Sequence, residues 1–104
     1  MPHTLNAGKI EEIRPGKTKR VKAPHGWILV CNVDGHIYAV DDLCTHEDAS
    51  LYLGCLKGHL IQCSLHGGKF DVRTGAAVEE PAEQPLRTYP VTLTDGEIHI
   101  EVPA

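Results

Sequence analysis

Two short stretches combine residue types that can hold an inorganic centre. Cys44-Thr45-His46 places a thiol and an imidazole two positions apart, and Cys63-Ser64-Leu65-His66 places the same pair three apart. Sixteen residues separate His46 from Cys63. Neither catalytic triads nor helical packing require a C-x-H spacing. It suits two donors on one tight loop, aimed at a common point. The second stretch runs directly into Gly67-Gly68, where a chain without Cβ atoms can wrap closely around a bulky group.

Two centres accept two thiolates and two imidazoles. One is a closed tetrahedral structural zinc. The other is a [2Fe–2S] cluster in which two histidines replace two cysteines on one iron. Ligand count does not separate them, because both use soft sulfur and imidazole nitrogen. Spacing is more informative. Zinc fingers tend to pair Cys with Cys and His with His within a short segment. Here each segment is mixed, which suits two equivalent loops gripping a two-metal object from opposite sides.

The elements that position these loops read as β-strands. "GWILVCNV", "DG" and "HIYAVD" form one expected hairpin, and "RTYPVTLT", "DG" and "EIHIEV" another. Ile98, Ile100 and Val102 alternate with Glu97, His99 and Glu101, so the last strand buries one face. Pro90 cannot donate to a ladder and places its strand at an edge or bulge. Only "GKIEEIRPG" suggests a helical turn. Frequent turn pairs, among them Pro15-Gly16 and Thr74-Gly75, complete an all-β pattern of a small sandwich or barrel-like stack.

Bulk properties narrow the function classes. The chain has 104 residues, 41% of them apolar, enough for one domain with one modest core. A net charge of −4 argues against a nucleic-acid partner. Arg14, Lys17, Lys19, Arg20 and Lys22 do cluster, but their alternation reads as the solvated face of a strand. No apolar run is long enough to span a membrane, and "MPHTLNAGK" lacks the apolar stretch of a signal peptide. The expectation is a cytoplasmic protein whose four cysteines are ligands or packed thiols rather than disulfides.

The two-part ligand motif and its surroundings resemble a family. "YAVDDLCTHEDASL", "GCLKGHLIQCSLHGGKFDVRTG" and "PAEQPLRTYPV" are similar to Rieske-type ferredoxins of bacterial aromatic ring-hydroxylating dioxygenase systems, and the likeness runs over nearly the whole chain. The resemblance implies a single Rieske domain over residues 1–104, a fold of stacked small antiparallel sheets, and a two-loop cluster-binding subdomain at about 43–85 inserted in a β base. It implies one [2Fe–2S] cluster, with Cys44 and Cys63 on the inner iron and His46 and His66 on the outer iron through Nδ1. A proline-containing segment, placed at Glu80–Pro85, would cover one side. The implied function is a one-electron carrier, not an enzyme, between a flavoprotein ferredoxin reductase and the terminal oxygenase of a multicomponent system for aromatic hydrocarbon catabolism. Both partners would dock transiently at the tip around His46, Glu47, Asp48, Leu65, His66 and Gly67, with Pro81 at the rim. A monomer is expected. Two other readings stay open: a small Rieske subunit of a larger reductase such as nitrite reductase, and a zinc-stabilised interaction module.

The resemblance also bears on redox potential. Respiratory Rieske proteins of high potential carry two hydroxyl donors where this chain has Gly68 and Phe70, and a disulfide where it has Ala49 and Leu65. The implied potential is low, near the bottom of the range of about −150 to +300 mV. Among the other residues, Cys31 reads as a buried thiol and Cys55 as an incidental thiol at a loop position. His3, His25, His36, His59 and His99 read as surface or turn residues, Phe70 as core beneath the loops, and Asp71 as a turn cap.

Overall fold

The computed structural model describes residues 3–43, 50–63, 68–79 and 84–102. The described residues form eleven strands: β1 His3–Lys9, β2 Thr18–Ala23, β3 Gly26–Val33, β4 His36–Asp41, β5 Cys55–Lys57, β6 Leu60–Gln62, β7 Lys69–Asp71, β8 Ala77–Glu79, β9 Thr88–Tyr89, β10 Val91–Thr94 and β11 Glu97–Val102. Single 3-10 turns occupy Ile10–Glu12 and Leu51–Leu53. The strands assemble into three antiparallel sheets, ordered β1-β11-β10, β2-β3-β4-β9 and β5-β6-β7-β8. The all-β expectation is met.

Alternation along β3 explains how the sheets stack. Successive side chains of a strand point to opposite faces. Ile28 and Val30 join Ala7, Ile98, Ile100 and Val102 in one apolar cluster. Leu29 and Cys31 join Leu51, Ile61, Cys63 and Phe70 in a second. The β2-β3-β4-β9 sheet is therefore a middle layer, and residues 28–32 of β3 are buried on both faces. Strand β11 follows the simpler expected pattern, with Ile98, Ile100 and Val102 buried. Each such fully buried side chain contributes roughly 1.5–3 kcal/mol.

Both expected hairpins close through Asp-Gly turns whose two residues have positive φ, 50° and 92° at Asp34-Gly35 and 52° and 78° at Asp95-Gly96. That pair of conformations matches the twist of a two-residue hairpin loop. The second hairpin departs from expectation on one side. "RTYPVTLT" is not one strand. Tyr89 pairs with Ala39 in the middle sheet, while Val91 pairs with Ile100 in the outer one. Pro90 lies at the crossing, where its missing N–H costs no ladder bond and its carbonyl still accepts from Glu101 N–H at 3.0 Å. β9 and β10 are both edge strands of their sheets, as the proline required.

Candidate functional site

Cys63 is the one candidate ligand among the described residues; Cys44, His46 and His66 lie outside them. So do Glu47, Asp48, Ala49, Leu65, Gly67, Glu80, Pro81 and Glu83. The described residues nevertheless fix the feet of both ligand loops. Leu43 and Ser50, which flank the first, form an antiparallel bridge. Cys63 and Gly68, which flank the second, are joined by a Cys63 N–H to Gly68 carbonyl bond of 2.8 Å. Each loop thus leaves and re-enters the fold through a closed pair of residues.

Both sets of feet stand on one apolar floor. Leu51, directly after the first loop's foot, is fully buried with Ile61, Cys63 and Phe70. Leu86, which follows the proline-containing segment, belongs to the same cluster and is held by its N–H to the Gly75 carbonyl at 2.7 Å. Phe70 is core here, as expected. Cys63 is 2% exposed, so its thiol is shielded from bulk solvent. Close backbone approach brings the segments together. A Cβ on Gly54 would lie 1.9 Å from the Gln62 carbonyl oxygen, one residue before Cys63, so a side chain there would push the strands apart.

A buried carboxylate fastens the first loop, and sequence reading missed it. Asp42 is 1% exposed. Its Oδ2 accepts from the Ser50 hydroxyl at 2.5 Å and its Oδ1 from the Tyr52 N–H at 2.9 Å. Its carbonyl accepts from Leu51 N–H at 2.6 Å, and its own N–H donates to the Trp27 carbonyl at 3.2 Å. A carboxylate buried without such donors would be costly. From sequence, Asp42 is indistinguishable from its neighbour Asp41. The carboxylate also acts beneath the loops: the Cys31 thiol is pushed up to about 12, first by burial and then by the negative charge of Asp42. Cys31 is a protonated, packed thiol, as the sequence suggested.

A second polar group lies at the β4–β9 edge. The Tyr89 hydroxyl donates to Asp41 Oδ1 and lies 2.7 Å from His25 Nε2. Burial, then the Asp41 carboxylate, holds the Tyr89 phenol well above its usual range. His25 is a turn residue as expected, but it is tethered rather than free. After β7, Asp71 Oδ1 accepts from Arg73 N–H at 2.9 Å and Oδ2 from Arg73 Nη2 at 2.9 Å, closing the expected turn. The Arg73 hydrogen bond keeps the Asp71 carboxyl below the ordinary carboxylate range. Cys55 is a correction: it opens strand β5 opposite Gln62 and is exposed, not in a loop.

Among the described residues no group of three His, Cys, Asp or Glu side chains converges as a metal site. The chemistry of the donor set nonetheless suits a sulfur-and-nitrogen-bound cluster. One thiol is walled by Leu, Ile, Phe and Val side chains, and two loops of mixed Cys and His composition are pinned at their feet to the same wall. No helix among the described residues is long and apolar enough to cross a membrane.

Residues 3–90 match the Rieske [2Fe-2S] domain family. The chain is 44% identical over 96 residues to the ferredoxin component of the p-cumate 2,3-dioxygenase system of Pseudomonas putida, covering 90% of this chain and 81% of that protein. Its backbone superposes on the Sphingomonas yanoikuyae B1 ferredoxin with a TM-score of 0.91 at 38% identity, covering 97% of this chain and all of that one (100%). A chain in the complex of reduced oxygenase and oxidised ferredoxin of carbazole 1,9a-dioxygenase gives the same TM-score of 0.91 at 34% identity, covering 94% of this chain and 92% of that one.

Proposed function

The chain belongs to the Rieske [2Fe-2S] domain family, and from that premise we propose that it is the ferredoxin component of an aromatic ring-hydroxylating dioxygenase system. It is an electron-transfer protein and not itself an enzyme. It receives electrons from a ferredoxin reductase and delivers them to the terminal oxygenase. The observation that carries the reading is its whole-length likeness to ferredoxin components of such systems, including one in complex with its oxygenase. We read residues 1–104 as one domain, with about 43–85 as the cluster-binding part, and place the protein in the cytoplasm.

When bound, a [2Fe–2S] cluster supplies a one-electron couple at a fixed site. We assign Cys44, His46, Cys63 and His66 as its ligands, one cluster per chain. Each residue around them has a definable task. Cys63 offers a thiolate from an apolar wall that excludes water. Asp42 and Ser50 hold the first loop's feet together, and the Cys63–Gly68 bond holds the second's. Gly68 and Phe70 carry no hydroxyl to donate to a cluster sulfur, which supports a low potential. The tip, where the loops of His46 and His66 lie in sequence, is the surface assigned to both partners.

Purified protein should contain two irons and two acid-labile sulfides per chain and should give a rhombic EPR signal when reduced. It should pass electrons from reductase to oxygenase. His66→Ala should abolish the EPR signal. A colourless protein that binds one zinc, or a retained signal with unchanged g values in His66→Ala, would sink the assignment.

A further inference from the structure

Near the foot of the first ligand loop, the edge of the middle sheet carries cations that no carboxylate among the described residues neutralises. β2 and β3 pair with Arg20 opposite Leu29 and Lys22 opposite Trp27. Directly opposed residues share a face, so Arg20 and Lys22 lie on the face that also supports the loops. The Arg20 guanidinium sits over the Trp27 ring at 4.5 Å and the Tyr52 ring at 5.4 Å, and the Lys22 ammonium over Trp27 at 5.1 Å. Among the described residues neither has a carboxylate partner, whereas Lys19, just before Arg20 on β2, is paired with Glu12 at 2.8 Å. Aromatic faces hold the two charges in place and leave them available.

The same flank concentrates exposed apolar surface. Trp27, Leu43, Tyr52 and Leu53 are 41%, 52%, 43% and 71% exposed, four of the six large hydrophobic side chains so exposed among the described residues. Asp42 ties them into one patch through Trp27 O and Tyr52 N–H, with Leu43 next in the chain. Tyr52 and Leu53 follow Ser50, so the patch begins where the chain leaves the first loop's foot.

We propose that this flank is a second contact surface that grips carboxylates on a redox partner docked at the tip and so fixes the partner's rotation about it. The proposal rests on the tip-docking reading above. Aromatic residues and arginine are the types enriched where protein interfaces concentrate binding energy. Two cations on a chain of net charge −4 are too few for a nucleic-acid backbone, where proteins neutralise about 6–10 phosphates, or for a lipid surface, where about 4–8 basic residues cluster. A carboxylate pair on a protein needs no more than two. With Arg20 and Lys22 set aside, the chain carries eight Lys and Arg against fourteen Asp and Glu, so a partner's carboxylates meet fewer cations in most other registers.

The test uses the cluster-containing protein with its purified reductase and oxygenase. Arg20→Glu with Lys22→Glu should slow second-order electron transfer to at least one partner about tenfold at low salt, converging on wild type at high salt. Arg20→Gln with Lys22→Gln should slow it less. The EPR spectrum and reduction potential should not move in either variant, which separates docking from damage at the centre. Rates within twofold of wild type towards both partners at low salt would overturn the proposal and leave the functional reading standing. A wild-type protein that passes electrons to neither partner would overturn both. Co-sedimentation with phosphatidylserine vesicles, lost in the charge-reversed variant, would assign the flank to a lipid surface instead. Self-association abolished by Trp27→Ala would assign it to a second copy, and either result would overturn the proposal.

Discussion

The base of the molecule and its loop-bearing end bury apolar clusters of comparable make-up, but they order their backbones by different means. β1, β3 and β11 run seven, eight and six residues, and their ladders and side chains reinforce one another. β5, β6, β7 and β8 run three residues each. Strands that short make few ladder bonds and are marginal alone. The end compensates with pinned loop feet, a buried carboxylate and a glycine at a backbone crossing, and a Rieske [2Fe-2S] domain would add a metal centre there. The base is stable through its side chains, whereas the end depends on closures that a single group can open.

The largest test of that contrast is removal of the cluster, by chelation after acid treatment or by Cys63→Ser. Metal binding is coupled to folding where the ligands bridge segments with little other order. Amides of β5–β8 should lose about 100-fold or more of their hydrogen-exchange protection, while those of β3 and β11 keep theirs. Equal loss at both ends would show a single cooperative unit and break the comparison. A smaller effect is expected at Asp42. Asp42→Ala leaves the Ser50 hydroxyl and Tyr52 N–H without their acceptor and should cost about 2 kcal/mol. It should also speed cluster loss, followed by visible absorbance during denaturation. Lost stability with an unchanged rate of bleaching would move Asp42 from the loop to the general core.

The smallest effect is electrostatic. Arg73 lowers the folded-state pKa of Asp71, so the stability it adds is full above the ordinary aspartate value of about 3.9 and is lost as pH falls through the folded value. Arg73 is half exposed, so solvent screening keeps the pair's contribution small. Thermal melts of Arg73→Ala and wild type should differ at neutral pH and converge on acidification below that value. A gap that widens with acid would contradict the sign.

The base was more legible than the end. Asp34-Gly35 and Asp95-Gly96 sit between alternating strands long enough for the period to show, and both turns close hairpins where they were read, the first with both of its strands as expected. Pro90 signalled an edge but not which sheet, because only tertiary pairing decides where a strand changes layers. Three-residue strands carry no readable period, which is why Cys55 looked like a loop residue. The C-x-H and C-x-x-H spacings pointed to candidate ligands, yet nothing in sequence marked Asp42 as different from Asp41. The basic run was read as solvated. The stacking of Arg20 on Trp27 depends on strand register, and its contact with Tyr52 on a turn thirty-odd residues away, neither of which local pattern contains.

β3 serves both clusters from one strand, and that division has an evolutionary consequence. A substitution at Ile28 or Val30 is answered by residues such as Ile98 and Ile100, while one at Leu29 or Cys31 is answered by Leu51 and Phe70. Odd and even positions of a single strand therefore belong to separate mutational neighbourhoods. A lineage can drift in the scaffold through one set while the other keeps the redox end tuned to its partners.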